Sequence, residues 1–214
     1  MKIKKPSLPE NLAEEELSIL DDNGSVQLKS FTGKMTDSMV ARTVDVGECL
    51  FDKCGLFEAD LKNLRMTDTI ISNTDLSAAD LSHSTLSRCE FNKSRMVGVN
   101  FSNSKLTDIK FNSCKLDIAN FRFTKFKRVQ FINCTLIESD LMYTELNDVN
   151  FSNCEISRVR FDQCKIIKLD LRTSELKDIL GWSNLKGAQI DYPQLVAIAP
   201  QLATELGIVV EYED

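Results

Sequence analysis

The residues best suited to chemistry in this chain of 214 residues are seven cysteines and a single histidine. A cysteine can serve as a nucleophile, a metal ligand or half of a disulfide. One histidine, His83, excludes a multi-histidine metal site, and it is expected at a solvent-facing position. The sequence contains no glycine-rich phosphate loop, no G-x-S-x-G and no C-x-x-C motif. We therefore expect no catalytic residue, no metal site, no cofactor and no small-molecule substrate.

The spacing of the cysteines reveals a repeat instead of a reactive cluster. All seven lie at positions ending in 4 or 9, and ten of the twelve phenylalanines lie at positions ending in 1 or 6. Only Phe57 and Phe123 fall out of this phase. Twenty-six five-residue frames run from Cys49 to Asp178 without an insertion. Because a period of five fits neither a helix nor a strand, we expect a turn in every frame. The large central residue and the small residue two before it then point inward.

The frames A-D-L-K-N, A-D-L-S-H, A-N-F-R-F and S-D-L-M-Y resemble the A-[DN]-[LF]-x-x signature of the pentapeptide-repeat family. This resemblance covers about residues 45–190 and implies an all-β fold, a right-handed quadrilateral parallel β-helix with four frames per coil. Twenty-six frames then make six and a half coils, and at roughly 4.8 Å per coil the rod is about 30 Å long. Residues twenty apart should stack inside the rod, which predicts two ladders: Phe91, Phe111, Phe131 and Phe151, and Phe101 with Phe121.

The cysteines fit this fold as small apolar fillers. Inward thiols lack the exposure and the lowered pKa of a reactive cysteine, and we expect them to be free in a reducing cytoplasm. The sequence has no signal peptide and no apolar run long enough to cross a membrane, which also favours the cytoplasm and gives no membrane contact.

Both ends of an open β-helix expose unpaired backbone edges, so each end needs a cap. We assign residues 1–44 to an N-terminal cap and lead-in, 45–190 to the β-helix and 191–214 to a C-terminal helical cap. In the N-terminal cap we expect a helix after Ser7 that stops at residues 21–24. After Leu176 the repeat phase shifts by one residue, so that Leu180, Leu185 and Ile190 continue it.

In the C-terminal cap, Pro200 should divide a helical segment that starts near Asp191 into two, and Gly207 should end it. Residues 208–210 then form a closing strand. This tail is similar to the tail through which family members dimerise, although the alternative is that it only plugs the last coil. The resemblance gives a candidate homodimer interface: Leu195, Ile198, Leu202, Leu206 and Ile208.

Charge divides unevenly along the chain, whose net charge is −6. The rod, residues 46–190, holds 20 basic and 19 acidic residues, so the acidity lies in the caps. Within the rod the charges form two bands, which are candidate docking surfaces for a protein because bands of both signs suit specific docking. The basic belt contains Lys105, Lys110, Lys115, Arg122, Lys125, Lys127 and Arg128. The acidic belt contains Glu138, Asp140, Glu145, Asp148 and Glu155.

The resemblance implies a binding activity, because well-known family members mimic DNA in the saddle of gyrase or topoisomerase IV. A DNA-mimicking face requires carboxylates in place of phosphates. The candidate row is Asp60, Asp80, Asn100, Asn120 and Asp140. We favour the alternative role for these side chains, which is to hydrogen-bond the turn backbone. The rod lacks the loops of the quinolone-resistance members, and it is neutral. We therefore favour a non-enzymatic module that docks a protein partner through its outer faces.

Two alternatives remain open at this point. The first is a DNA-mimicking topoisomerase-binding protein that inhibits the enzyme or protects it from quinolones. The second is direct binding of nucleic acid through Lys105, Lys125 and Arg122 in the basic belt, which the acidic pI of about 5.0 opposes.

Overall fold

A computed structural model describes residues 2–34 and 39–211. The chain forms a parallel β-solenoid of about eight turns that is followed by one helix. Two short 3-10 helices span Leu17–Ile19 and Trp182–Asn184, and helix α1 spans Tyr192–Glu205. The strands are β1 Ala13–Glu15, β2 Ser25–Gln27, β3 Lys29–Lys34, β4 Asp45–Gly47, β5 Leu50–Gly55, β6 Arg65–Ser72, β7 Thr85–Asn92, β8 Lys105–Asn112, β9 Lys125–Ile132, β10 Glu145–Ser152, β11 Glu155–Ser157, β12 Lys165–Asp170 and β13 Glu175–Lys177.

The register between strands confirms the twenty-residue coil. Strands β6 to β10 pair in parallel, each with the strand that follows, so that Phe91 lies opposite Phe111 and Phe111 opposite Phe131. Single bridges at the same interval, such as Asp75 to Arg95, join the coils on other sides. The predicted right-handed quadrilateral parallel β-helix is therefore the observed fold.

A corner residue with left-handed backbone explains the period of five. The residue two after a frame centre repeatedly has a positive φ, for example 59° at His83, 59° at Asn103 and 52° at Asn153. Asparagine adopts this conformation more readily than most residues, because its short polar side chain can hydrogen-bond locally. Each frame thus contains one short extended segment and one corner.

The core consists of the large and small inward residues predicted from the frames. Cys89, Phe91 and Phe111 are fully buried. The ring centroids of Phe91 and Phe111 lie 4.9 Å apart and those of Phe111 and Phe131 4.8 Å apart, with the rings nearly parallel. The ladder continues to Phe151 at 4.5 Å, and Phe101 stacks on Phe121 at 5.5 Å. Both predicted ladders are confirmed.

All seven cysteines are free, six of them buried and Cys164 half-buried. Their thiols donate to backbone carbonyls, as Cys114 Sγ does to the Phe91 oxygen at 3.3 Å. Burial raises the pKa of Cys54 to about 11 and that of Cys89 to about 12, because a thiolate loses its hydration inside the core. The cysteines are therefore free thiols that fill the core, as predicted, although a hydrogen bond with Cys134 lowers the pKa of Cys114 against that expectation.

The N-terminal cap corrects the prediction of a helix after Ser7. Strand β1 and a 3-10 turn occupy this region, and β1 pairs with β3 in parallel. Leu17 and Leu20 are buried at the end of the core. Strand β1 forms hydrogen bonds with the free edge of β3. A short helix in this place would leave that edge unpaired, and a short isolated helix is itself only marginally stable. The solenoid sheet thus begins inside residues 1–44, and the three-part division of the chain stays a prediction.

The predicted phase shift after Leu176 is wrong in position. Leu180 still pairs with Arg160 at an interval of twenty and is exposed, whereas Ile179 is buried. The interval falls to nineteen only where Gln189 pairs with Asp170. The shift therefore lies between Leu180 and Gln189. The 3-10 turn around the buried Trp182 occupies this stretch and absorbs the missing residue.

Helix α1 closes the last coil. It runs without a break through Pro200, so the prediction of two helices is wrong; the carbonyl that the proline leaves unpaired belongs to the exposed Val196. Gly207, with φ 72°, ends the helix as predicted. The Ile208 amide donates to the Ala203 carbonyl at 2.8 Å in a Schellman turn. The predicted closing strand at 208–210 is therefore also wrong, because this turn redirects the chain.

Candidate functional site

The predicted row of Asp60, Asp80, Asn100, Asn120 and Asp140 forms one continuous ladder. Bridges connect each member to the next, and Arg160 continues the ladder. The five side chains are half-buried. Sequence spacing thus located a real line of residues along one side of the rod, which we call the Asp/Asn row.

The carboxylates and amides of this row are already engaged within the chain. Asp80 Oδ1 accepts from the Ser82 amide at 2.9 Å, and Asp140 Oδ1 accepts from the Met142 amide at 2.9 Å. The Asn120 oxygen accepts from the Arg122 amide in the same way. These bonds fix the turn backbone, which is the alternative role that the sequence left open.

Basic side chains also neutralise the three aspartates of the row. Arg42 Nε donates to Asp60 at 2.8 Å and holds the pKa of this carboxyl below its ordinary value. The Lys62 ammonium lies 3.4 Å from the Asp80 carboxylate. The Arg122 guanidinium lies 3.6 Å from the carboxylate of Asp140. The row therefore presents little free negative charge.

A pair of exposed aromatic rings lies at the corner that borders the Asp/Asn row. Phe123 and Tyr143 are one coil apart and 49% and 44% exposed, and their rings stack with centroids 4.9 Å apart and planes 7° apart. The Arg122 guanidinium carbon lies 5.9 Å from each ring centroid, within the range of a cation–π contact. Ile118, 60% exposed, precedes this corner by one frame. We call Arg122, Phe123, Met142 and Tyr143 the aromatic patch.

Bulky residues lie at this corner and at the preceding one, where the backbone disfavours them. Ile118 and Phe123 both have φ 59°, in a region that β-branched and large side chains rarely adopt. Asn63 and Asn103 occupy the same corner as Phe123 in other coils, with the same φ of 59°. Local stability alone would therefore favour asparagine at Phe123.

Sequence reasoning missed the aromatic patch, although a signal was present. Phe123 is one of only two phenylalanines out of phase with the repeat, and Tyr143 follows it by one coil length. An out-of-phase aromatic in a solenoid points outward, and a second one twenty residues on must lie beside it.

The basic belt does not form one surface. Its residues lie on all sides of the coil, and three of them are paired: Lys115 with Asp117, Arg122 with Asp140, and Arg128 with Asp108. Lys105, Lys110, Lys125 and Lys127 have no ion-pair partner within residues 2–34 and 39–211. Strands β8 and β9 place Lys105 directly beside Lys125, which concentrates positive charge on one side.

The acidic belt is largely neutralised by the following coil. Glu138 pairs with Arg158 at 2.8 Å, Asp148 with Lys168 at 2.8 Å and Glu145 with Lys165 at 3.6 Å, each at an interval of twenty residues. Asp140 pairs with Arg122, and Glu155 alone has no ion-pair partner in the described chain. Bands of charge in the sequence thus become pairs along the rod axis, and the use of either belt stays a prediction.

The candidate dimer interface divides into buried and exposed residues. Ile198 is buried against the last coil and Leu202 is half-buried, so these two act as the plug. Leu195, Leu206 and Ile208 are exposed. The plug is supported by Gln194, whose Nε2 donates to the carbonyls of Leu171 and Ser174 at 2.7 and 2.6 Å.

The described residues contain few other features suited to catalysis, metal binding or membrane contact. His83 is exposed at a corner, as predicted. No group of three or more His, Cys, Asp or Glu in the described part of the chain could hold a metal ion. None of its helices is long and apolar enough to cross a membrane.

Comparison with solved structures returns other pentapeptide-repeat proteins. Full-length QnrB1, a plasmid-mediated fluoroquinolone resistance protein, is 16% identical over 89% of this chain and 99% of its own, with a TM-score of 0.38. HetL of the cyanobacterium Nostoc, involved in regulating heterocyst differentiation, is 13% identical over 86% and 89%, with a TM-score of 0.35. A protein of the Arabidopsis thaliana thylakoid lumen is 22% identical over 40% of this chain, which spans only 60% of that protein, with a TM-score of 0.39.

No curated protein matches the chain in sequence. Two family descriptions do match it. "Pentapeptide repeat region" matches residues 44–121, and "Pentapeptide repeats (8 copies)" matches residues 104–141 and 114–153. These matches together span residues 44–153, more than half of the chain, and they coincide with the coils described above. The chain belongs to the pentapeptide-repeat family.

Proposed function

We propose that this protein is a non-enzymatic, rigid binding module that docks a protein partner through the aromatic patch. The observation that carries the proposal is the exposed stack of Phe123 on Tyr143, with Arg122 beside both rings. The family consists generally of non-catalytic structural or binding proteins, which supports the absence of catalysis that we propose here.

The chemistry of the patch suits protein recognition. Aromatic residues, methionine and arginine are enriched at the centres of protein interfaces, where they carry most of the binding energy. Stacking holds the two rings of Phe123 and Tyr143 in place, and the rod beneath them is a continuous sheet. Binding of a partner would thus cost little conformational entropy at these two side chains.

The backbone supports the same conclusion. Exposed bulky residues in left-handed conformation are unfavourable for the isolated rod, and their stacking recovers only about 0.5–1.5 kcal/mol. Sites where local preference and observed residue disagree are often functional. Contact with a partner gives a reason for Phe123 that packing within the chain does not.

Mimicry of DNA is the alternative, and the Asp/Asn row is its candidate surface. The row is continuous and lies beside the aromatic patch. Its aspartates, however, contact Arg42, Lys62 and Arg122, which reduces their resemblance to free phosphates. These ion pairs favour docking of a protein through apolar contacts over mimicry of DNA. A type II topoisomerase is one candidate for the docked protein.

Direct binding of nucleic acid receives less support. Lys105 and Lys125 are adjacent, but Arg122 is engaged by Asp140. The net charge of −6 opposes attraction to phosphates. We expect no DNA binding that weakens steeply with salt.

Location and oligomeric state follow as parts of the proposal. The free thiols support a reducing compartment such as the cytoplasm. The exposed apolar residues of the C-terminal cap, Leu195, Leu206 and Ile208, support a homodimer. Light scattering coupled to size exclusion tests this dimer, and a monomer at micromolar concentration would contradict it.

The test of docking uses a variant that should keep the fold. Phe123→Asn with Tyr143→Asn removes the rings and introduces the residue that other coils carry at this corner. We expect the melting temperature to stay or rise, because asparagine suits φ near 59°. A partner that is captured from a cell extract by the wild-type protein should be lost.

The matched control variant carries His83→Asn and Gln163→Asn, which lie at the same corner as Phe123 in other coils. This variant should retain the partner. Identical captured proteins for the wild type and the patch variant would refute docking through the patch.

A gyrase supercoiling assay distinguishes DNA mimicry from docking through the patch. Under mimicry, Asp60→Asn with Asp80→Asn and Asp140→Asn should weaken any inhibition or quinolone protection, whereas the patch variant should not.

A further inference from the structure

The segment before the first strand lies along the outside of the rod. We call residues 2–8 the N-terminal strap. The Lys4 amide donates to Asp108 Oδ1 at 3.1 Å, and the Ser7 amide donates to Asp68 Oδ1 at 3.2 Å. These partners are 104 and 61 residues away in sequence. The strap therefore runs antiparallel to the direction in which the coils advance, across at least two coil spacings.

The strap lies on a column of corner residues whose charges alternate. Asp68 pairs with Arg88, Asp108 with Arg128, and Asp148 with Lys168, each across one coil. Both guanidinium groups bind their carboxylates through two hydrogen bonds; those of Arg128 are 2.6 Å long. Each carboxylate is thus held in one orientation, with an oxygen available to a further donor.

The spacing of the strap matches the spacing of the column. Lys4 and Ser7 are three residues apart, which spans about 10 Å in an extended chain. Asp108 and Asp68 are two coils apart, also about 10 Å at the distance between neighbouring strands. An extended segment therefore presents an amide to every second coil. Pro6 lies between the two donors and favours this extended form.

Burial separates the covered part of the column from the uncovered part. The Asp108 side chain is 3% exposed and that of Asp68 13%, whereas the Asp148 side chain, which has no strap contact, is 25% exposed. Arg128 and Arg88 hold the pKa of Asp108 and Asp68 below their ordinary values, and the strap amides act in the same direction. The positive charge of Lys4 also favours the ionised form of Asp108.

We propose that the column from Asp68 to Asp108 is a binding site for an extended basic peptide, and that the N-terminal strap is its built-in, exchangeable ligand. The peptide that fits carries two free amides three residues apart and, as Lys4 does near Asp108, a positive charge. This site shares no residue with the aromatic patch, so it goes beyond the docking function proposed above. A partner segment of the same chemistry binds by displacing the strap.

The strap is held in a way that permits exchange. It contains no regular secondary structure, and within the described chain its hydrogen bonds are the two to Asp108 and Asp68. Ile3, Pro6 and Leu8 are half-buried, whereas the three lysines of the strap are exposed. A short link to β1 keeps the strap near its site at an effective concentration on the order of millimolar. A free peptide must compete with that concentration.

The experiment releases the strap without shortening the chain. Lys4→Pro with Ser7→Pro removes both amide donors, because proline has no N–H. The probe is a fluorescein-labelled synthetic peptide of residues 2–10, KIKKPSLPE, and its anisotropy reports binding. Since each hydrogen bond to a charged group contributes a factor of roughly ten, we expect the released variant to bind the probe at least about tenfold more tightly than the wild type.

Matched variants locate the binding in the column. In the released background, Asp68→Ala with Asp108→Ala should abolish binding of the probe. Asp148→Ala, which also removes an acid and leaves a basic partner, should not change it. A probe with proline at positions 4 and 7 should fail to bind. Equal affinity for the wild type and the released variant, no binding at several millimolar probe, or equal loss with Asp148→Ala would each overturn the proposal.

Hydrogen exchange of the wild-type protein gives a second test that needs neither the released variant nor the labelled probe. The amides of Lys4 and Ser7 should exchange more slowly than in the free peptide, and added unlabelled peptide should accelerate their exchange. Lys5→Pro is the control, because the Lys5 amide has no hydrogen-bond partner in the described structure, and it should retain the protection. Exchange of both wild-type amides at the rate of the free peptide would overturn the proposal.

Discussion

Replacing Phe111 by alanine should destabilise the rod more than most single changes. Phe111 is fully buried in the middle of the long ladder, stacked on Phe91 at 4.9 Å and on Phe131 at 4.8 Å, with Phe101 edge-on at 6.2 Å. Removing a buried phenylalanine ring costs about 3–5 kcal/mol through lost burial and a cavity. Aromatic pairs contribute about 0.5–1.5 kcal/mol each beyond burial, so we expect a value near the upper end.

Two further substitutions make the measurement decisive. Urea denaturation followed by circular dichroism gives the free energy of unfolding, and a loss of about 4 kcal/mol corresponds to roughly 10–15 °C in melting temperature for a chain of this size. Phe111→Leu should lose less than about 1.5 kcal/mol, because leucine is a normal frame centre. Phe57→Ala, at an exposed position, should change little. Equal losses for Phe111→Ala and Phe57→Ala would refute the inward register.

Three other outcomes test the caps and the strap. Gln194→Leu should lower the melting temperature, because two carbonyls of the last coil lose their donor; an unchanged melting curve would contradict this role. Gly181→Ala should destabilise the chain by about 1 kcal/mol or more, since φ is 84° and a Cβ would lie 2.9 Å from the Asp162 amide nitrogen; wild-type stability would show that this turn can relax. Arg128 lowers the folded-state pKa of Asp108, so the stabilisation from ionised Asp108 is full above the unfolded value of about 3.9 and is lost as pH falls through the lower, folded-state value. Exchange of the Lys4 amide, corrected for the intrinsic effect of pH, should accelerate as Asp108 becomes protonated in the folded chain, and protection that stays constant until the whole chain unfolds in acid would contradict the link.

The repeat was predictable because its determinants are local in type and regular in spacing. A large residue at each centre and a small residue two before it, as in Cys89 and Phe91, require burial at both positions in every frame. One inward pattern repeated over many coils leaves little freedom in register, so stacking of the phenylalanines followed directly. The site was less predictable: the Asp/Asn row was found as a line, but not its engagement by turn amides and ion pairs.

The irregular ends were predicted poorly for a different reason. The helical pattern at residues 7–24 rests on few residues. Strand pairing prevails over it, because the free edge of β3 offers hydrogen bonds to β1. Pro200 was expected to break helix α1, yet its missing donor affects only the carbonyl of an exposed residue. Such outcomes depend on which backbone groups find hydrogen-bond partners elsewhere in the fold. The local sequence does not specify those partners.

The sequence by itself determined the coil, its length of twenty residues and the identity of its core, because burial acts on every frame in the same way. Only the tertiary structure decided how the outer charges are used. Stacking brings residues twenty apart to the distance between neighbouring strands, so that most of the acidic belt is neutralised by basic residues of the following coil, as Glu138 is by Arg158. It also places Phe123 on Tyr143 and the strap on Asp68 and Asp108, contacts that arise from the third dimension of the rod.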